Sequence, residues 1–356
     1  MLSILTAGAI AMTITLFGTR FLIEFLSRRG YGQFIRDDGP TEHHTKRGTP
    51  TMGGLILIVA VVLGYFGSHL IFWRPVSASG LLAVFLFVGL GFVGFLDDWT
   101  KIRRARSLGL NVMAKLILQG VIGLVFAILS LMFPDHRGVT PASSAVSFLR
   151  DIPALTLPTF VAVLWMMFII ASFSNGSNLT DGLDGLLSGV ATMVFAAYVI
   201  LNVWQSGQWC GRASTIGPRC YEVRNPSDLA LFAIAIAGAL FGFLWWNANP
   251  ARIFMGDTGS LAIGGAVAAL AIMSRTELLS AVIGAMFVLE SLSVVTQVGY
   301  FKLTKGKRLW RMAPMHHHFE AFGWGEITVV VRMWILCGLA VAMGMGLFYT
   351  EWVAAQ

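Results

Sequence analysis

Five aspartates stand in three short, glycine-bearing segments whose residue types suit phosphate chemistry. Asp97 and Asp98 follow Gly94-Phe95-Leu96. Asp181 and Asp184 lie in Asn178-Leu179-Thr180-Asp181-Gly182-Leu183-Asp184-Gly185. Asp257 lies in Phe254-Met255-Gly256-Asp257-Thr258-Gly259-Ser260. Carboxylates beside cations suit Mg²⁺, which is held by few protein oxygens and by substrate phosphates. Such a centre serves phosphoryl transfer, where positioning and charge neutralisation supply most of the catalysis. Asp97 and Asp98 close an apolar stretch, so they face the negative end of a helix dipole and repel each other. A cation must offset them: Mg²⁺, Lys101, or the arginines 103, 104 and 106. The ordinary alternative is a solvated helix end. Asp181 and Asp184, three apart, are expected on one side of a first helical turn. A turn with one capping Asp would explain less, because an Asn and a Thr accompany the pair. Asp257 is read either as an N-cap or as a ligand, with Gly256 and Gly259 letting backbone approach a phosphate at the helix N-terminus.

Basic and imidazole groups complete the set. Met315-His316-His317-His318-Phe319-Glu320 holds three adjacent histidines, which cannot readily converge on one metal and suit phosphate or sugar hydroxyl contacts better. The loop containing His43, His44, Lys46, Arg47 and Thr51 is a plausible anion-binding segment without P-loop spacing. Lys115 either snorkels to headgroups or reaches a substrate phosphate. Arg20 and Glu24, at i,i+4, are expected to pair. Glu290 has no sequence-local partner, which makes it a candidate for supporting the site.

These segments must be held by membrane helices. The chain has 356 residues, of which 56% are hydrophobic and only 12% charged; soluble domains carry roughly 25% charged residues. A bilayer-crossing helix needs about 20 apolar residues. Such stretches occur at 3–26, 53–73, 80–96, 115–133, 158–174, 186–204, 228–246, 258–274, 278–301 and 329–350. The expectation is therefore one all-α polytopic membrane domain over residues 1–356, with about ten spans and no cleavable signal peptide. Gly264, Gly265 and Ala268 favour close helix packing.

Loops 27–52, 97–114, 175–185, 247–257 and 302–328 hold 15 Lys and Arg against 7 in the opposite set. The first set is thus cytoplasmic and both termini are extracytoplasmic. The same loops hold five of the seven histidines and ten acids, so the site is expected on that face. The net charge of +7 reads as topology, and nucleic-acid binding is a poor explanation for it. Cys210 and Cys220 share an outer loop, where a disulfide can persist, with two free thiols as the alternative. Cys337 is expected to pack.

The run from Lys46 through Gly48-Thr49-Pro50-Thr51-Met52-Gly53-Gly54, Asp97-Asp98, Asn178 to Gly185, Phe254 to Ser260 and Met312 to Glu320 resembles the motifs of the phospho-N-acetylmuramoyl-pentapeptide transferase family, in the same order. The resemblance implies a multi-pass enzyme of the bacterial plasma membrane, with its active site facing the cytoplasm. It implies Mg²⁺ as cofactor, and UDP-N-acetylmuramoyl-pentapeptide and undecaprenyl phosphate as substrates. The products would be lipid I and UMP. Carried onto this chain, Asp257 would be the Mg²⁺ ligand and Asp97 and Asp98 the carboxylates nearest the attacking phosphate, Asp98 being the favoured base. Asn178 and Asp181 would contact the nucleotide sugar, and Phe254 and Asp184 the uracil. Lys46, Thr51, Lys101, Lys115, Asn247 and His317 would surround the nucleoside and diphosphate, with His316 and His318 supporting the loop. The resemblance also suggests a homodimer. Two mechanisms are compatible with the resemblance, direct transfer and a covalent phospho-aspartate intermediate. The alternatives are a transferase for another UDP-N-acetylhexosamine or, from a different class, a transporter. A transporter should place its ionisable groups near the midplane, often within inverted repeats.

Overall fold

The computed structural model describes residues 1–32, 48–104, 109–211 and 220–354, leaving Lys46, with His43, His44, Arg47 and Arg106, outside the described residues. Apolar composition and length make nine of the described helices able to cross a bilayer. They are α1 (Leu2–Arg28), α2 (Gly54–Ile71), α3 (Ala78–Arg104), α4 (Val112–Ser130), α5 (Thr159–Thr180), α6 (Leu186–Gly207), α7 (Pro226–Asn247), α8 (Gly256–Met273) and α12 (Glu326–Ala354). The all-α polytopic expectation holds.

The stretch expected as a ninth straight span is instead two helices, α9 (Glu277–Ile283) and α10 (Ala285–Leu303), bent by 86° at Gly284. Gly284 closes α9 with its N–H on Ser280 O, while its own carbonyl accepts Phe287 N–H and starts α10 in a new direction. Two further departures concern loops. The segment 134–157 contains an antiparallel pair, β1 (Ala145–Ser147) and β2 (Asp151–Thr156). The histidine triplet forms a short helix, α11 (Met315–Glu320).

Helix α8 is the centre of the bundle. From Thr258 to Met273 every residue is buried, against α3, α5 and α2. That is possible because half of its residues are Gly or Ala, which let neighbouring backbones approach. At Gly264, for example, a Cβ would collide with the Phe173 carbonyl of α5. Helices α1, α6 and α7 pack on the other side, and α4 and α12 present broad apolar faces outward. Leucine, isoleucine and valine side chains exposed there are what lipid contact demands.

The smaller expectations fare well. Arg20 and Glu24 pair at 3.3 Å on α1. Cys210 and Cys220 form a disulfide, and Cys337 is buried in α12 against α6.

Candidate active site

At one end of the bundle, three carboxylates converge. Asp97 and Asp98 come from the last turns of α3 and Asp257 from the first turn of α8, with ligand oxygens within 4.8 Å of one another. Helix α3 does not end before the aspartates, as the apolar pattern suggests, but runs on to Arg104. That extension carries Lys101 one turn beyond Asp97. The ammonium of Lys101 lies 2.7 Å from Asp97 Oδ2, 3.6 Å from Asp98 Oδ1 and 3.1 Å from Asp257 Oδ2. The cation demanded by the adjacent aspartates is therefore supplied locally. Lys115, from the first turn of α4, adds a second ammonium 2.7 Å from Asp257 Oδ2. Asn178, near the end of α5, donates to Asp257 Oδ1 and to Ser260 Oγ, each at 2.9 Å.

Helices α3 and α8 meet this closely because of Gly94, where any Cβ would overlap the Asp257 carbonyl. Gly256 begins α8 at φ +74, a conformation that favours glycine, and a Cβ there would press on Asp98 Oδ2 and Thr51 Oγ1. Asp257 is not the N-cap of α8, because Met255 holds that position and Asp257 is already helical. The capping carboxylate is Asp98, from another helix. Its Oδ1 accepts Asp257 N–H at 3.2 Å, and its Oδ2 accepts Thr258 N–H at 2.9 Å and the Thr258 hydroxyl at 2.7 Å. The helix N-terminus that composition offers to a phosphate is thus occupied by Asp98. Asp97 Oδ1 is likewise engaged, accepting Leu110 N–H at 2.9 Å.

Asp181 and Asp184 do not share a side. Residues 181–185 form a turn between α5 and α6 and send the two carboxylates apart. Asp181 faces the Gly256 N–H beside the cluster. Burial first, and then the charges on Asp257 and Asp98, push its carboxyl up to about 8. Asp184 turns toward a separate polar knot. Its Oδ2 accepts Ala251 N–H at 3.0 Å and Asn249 Nδ2 at 3.3 Å, while its N–H donates to Glu326 Oε1 at 2.9 Å. Asn249 also donates to Glu326 Oε2 at 3.0 Å. Neither Asn249 nor Glu326 stands out in the sequence. Asn249 shares its Asn-Ala-Asn-Pro segment with Asn247, and only the fold separates their roles. Asn247 is buried, accepting from Ser188 Oγ at 2.7 Å and donating to Ile253 O at 3.0 Å, so its amide holds its own segment together.

Phe254 is half-buried, and its backbone ties it to the Thr51 segment through Pro50 O and Gly53 N–H, each at 2.8 Å. Thr51 itself is buried beside Gly256.

The three histidines point in three directions. His316 is enclosed, with Nδ1 3.2 Å from Glu290 Oε1. His317 sets Nδ1 2.6 Å from Glu320 Oε2. His318 accepts Arg311 N–H at 3.1 Å and lies among Trp310, Phe319 and Phe322. Thr258 and Ser260 are the polar partners that sequence reasoning missed. Their only signal is their place within the Asp257 motif.

The geometry, three carboxylates interleaved with two ammoniums and an amide at the ends of apolar helices, can bind a divalent cation and a polyanion together. Residues 80–275 match the model of glycosyl transferase family 4. Residues 46–58 match signature 1 of phospho-N-acetylmuramoyl-pentapeptide-transferase. The chain is 60% identical over 356 residues to the phospho-N-acetylmuramoyl-pentapeptide-transferase of Cutibacterium acnes, covering 100% of both proteins. Identity to the protein of that name from Paenarthrobacter aurescens is 58% over 366 residues, covering 99% of each. For that of a Nocardioides species it is 58% over 362 residues, covering 99% of this chain and 100% of the relative.

Proposed function

The chain belongs to the phospho-N-acetylmuramoyl-pentapeptide transferase family, and from that premise we propose how its residues carry out the transfer. The enzyme moves phospho-N-acetylmuramoyl-pentapeptide from its UDP derivative to undecaprenyl phosphate, giving lipid I and UMP. An oxygen of the lipid phosphate forms a bond to the β-phosphorus of the donor. The bond from that phosphorus to the bridging oxygen breaks, and the electron pair leaves with UMP. The observation that carries this reading is the convergence of Asp97, Asp98 and Asp257 with Lys101, Lys115 and Asn178.

The carboxylate cluster fits Mg²⁺. Its donors are hard oxygens, three acidic residues lie close enough to share an ion, and the cluster already gathers ammonium groups. Asp257 would hold the ion, with Asp97 and Asp98 beside it. When bound there, Mg²⁺ would neutralise diphosphate charge and so make the β-phosphorus more open to attack. The ammoniums of Lys101 and Lys115, both on Asp257 Oδ2, are placed to turn toward phosphate oxygens once the donor enters. Asn178 orients Asp257 by donating to its other oxygen. Asp181, beside Gly256, faces the same space as a nucleotide-sugar contact. Phe254, by stacking, and Asp184 would receive the uracil, with Asn247 keeping the Phe254 segment in place and Thr51 beside it. His317 would reach the diphosphate, with His316 and His318 supporting it.

Asp98 acts as an anchor in this scheme. Both of its oxygens bind the first turn of α8, and a lipid phosphate with a second pKa near ~6 is already largely dianionic at neutral pH. Direct transfer needs no deprotonated Asp98, and the same engagement argues against Asp98 as a covalent nucleophile.

The bias of basic residues toward this set of loops supports an active site on the cytoplasmic face of the plasma membrane. Acids gathered at one end of the bundle, rather than at its midplane, disfavour a transporter.

The test supplies Mg²⁺, undecaprenyl phosphate and a panel of UDP-sugars to the purified protein and measures UMP release. Turnover of the muramoyl-pentapeptide donor is expected. No UMP from it, alongside turnover of UDP-N-acetylglucosamine, would overturn the donor assignment.

A further inference from the structure

Glu290 lies on α10 with none of its surface exposed, on a helix that otherwise buries only Met286, Phe287 and Ser293. A carboxylate withdrawn from water is costly unless it is partnered, and within a membrane protein such a group tends to serve function. Both of its oxygens face α11, though only Oε2 makes a hydrogen bond. Oε2 accepts Met315 N–H at 2.8 Å, and Oε1 lies 3.2 Å from Nδ1 of the equally enclosed His316. Helix α11 has six residues, too few to hold its shape alone, so its placement depends on such outside contacts.

His316 passes this anchorage on to the aspartate turn. Its Nε2 edge packs against Gly182, where a Cβ would collide with the ring, and Gly182 stands between Asp181 and Leu183. The ring also lies 4.2 Å, centroid to centroid, from that of His317. A chain of contacts therefore runs from Glu290 through His316 to both His317 and the Asp181 turn.

We propose that Glu290 is a positioning residue for the transfer reaction: through Met315 and His316 it sets the register of α11 against the Asp181 turn, and so the place of His317 in the site. The inference rests on the transferase reading above. Because Glu290 is separated from the reacting groups by a layer of side chains, its effect is on placement. A displacement of about 1 Å in a positioned group can lower a rate by about a hundredfold.

The experiment compares the native full-length enzyme with E290A, E290Q, H316A and the double variant E290A/H316A in detergent. UMP release gives kcat and the KM of each substrate, and thermal unfolding reports the folded fraction. E290A is expected to lose about ten- to a hundredfold in kcat per folded enzyme, with the KM for undecaprenyl phosphate within about twofold of native. E290Q, isosteric and still able to accept from Met315, is expected to fall between native and E290A. The losses in E290A and H316A are expected to overlap, so that the double variant is little worse than either. A kcat for E290A within twofold of native, or losses that simply multiply in the double variant, would overturn the inference. Should E290A not fold, E290Q with H316A decides on the same criteria: either at native kcat overturns it. A native enzyme that releases no UMP would instead overturn the transferase reading, and this inference with it.

Discussion

Replacing Asp98 by Asn separates anchoring of α8 from base catalysis. Asp98 receives three donors: Thr258 N–H at 2.9 Å and Thr258 hydroxyl at 2.7 Å on Oδ2, and Asp257 N–H at 3.2 Å on Oδ1. An asparagine would turn its one carbonyl oxygen toward Thr258, keeping the two shorter bonds as neutral ones. Its amide NH₂ would then oppose the Asp257 N–H, a donor against a donor. Bonds to a charged group contribute about 1.5–3 kcal/mol and neutral ones about 0.5–1.5 kcal/mol. Losing the longest bond and weakening the other two should cost about 3.5–6 kcal/mol of stability at the α3–α8 contact. Asp257 rides on the displaced turn, so a rate loss of about a hundredfold should accompany it. The assay pairs thermal unfolding with UMP release across pH, in D98N, in T258V and in the double variant. T258V removes the hydroxyl and keeps the N–H, so its cost in native protein should shrink in the D98N background. An anchoring Asp98 lowers the rate by a similar factor at every pH. A base would remove the acidic limb of the profile. Native-like melting of both single variants, with the acidic limb lost in D98N, would refute the anchoring argument.

Two other perturbations test the frame around the site. G94A places a methyl group into the Asp257 carbonyl, so α3 and α8 must part; a loss of about 1–3 kcal/mol in thermal unfolding and near-complete loss of UMP release are expected. At the opposite ends of α2, α3 and α7, Asp228 gathers His69 Nε2 at 2.7 Å, Tyr65 OH at 2.8 Å and both the N–H and hydroxyl of Ser77. D228N takes the charge from this buried carboxylate, turning its charge-assisted hydrogen bonds into neutral ones, and should cost about 2–4 kcal/mol of stability. Because the knot lies a helix length from the carboxylates, the KM values measured by UMP release should not change.

Much of the site is readable from residue types alone. Repulsion between Asp97 and Asp98 demands a cation, and Lys101 answers within the same helix. Glu290 looks stranded in sequence because its partners, Met315 and His316, come from an element 25 residues on. Asp181 and Asp184 were expected on one side because a helical turn puts positions three apart together. The chain there is a turn, not a helix, and each carboxylate follows the donors that neighbouring segments present. The ninth span misleads for a similar reason. Hydropathy counts apolar residues and is blind to a hinge at Gly284.

The sequence by itself determined that the chain lives in a membrane, where most of its helices run and which segments gather the acids and bases. Those properties depend on composition and local spacing, to which burial in lipid is directly sensitive. The tertiary structure alone decided which groups meet: that Asp98 caps a helix it does not belong to, that Lys115 reaches Asp257, and that three neighbouring histidines part company. Such pairings depend on how closely helices approach, which is set by where small residues on one helix meet backbone on another. No reading along a single chain contains that distance.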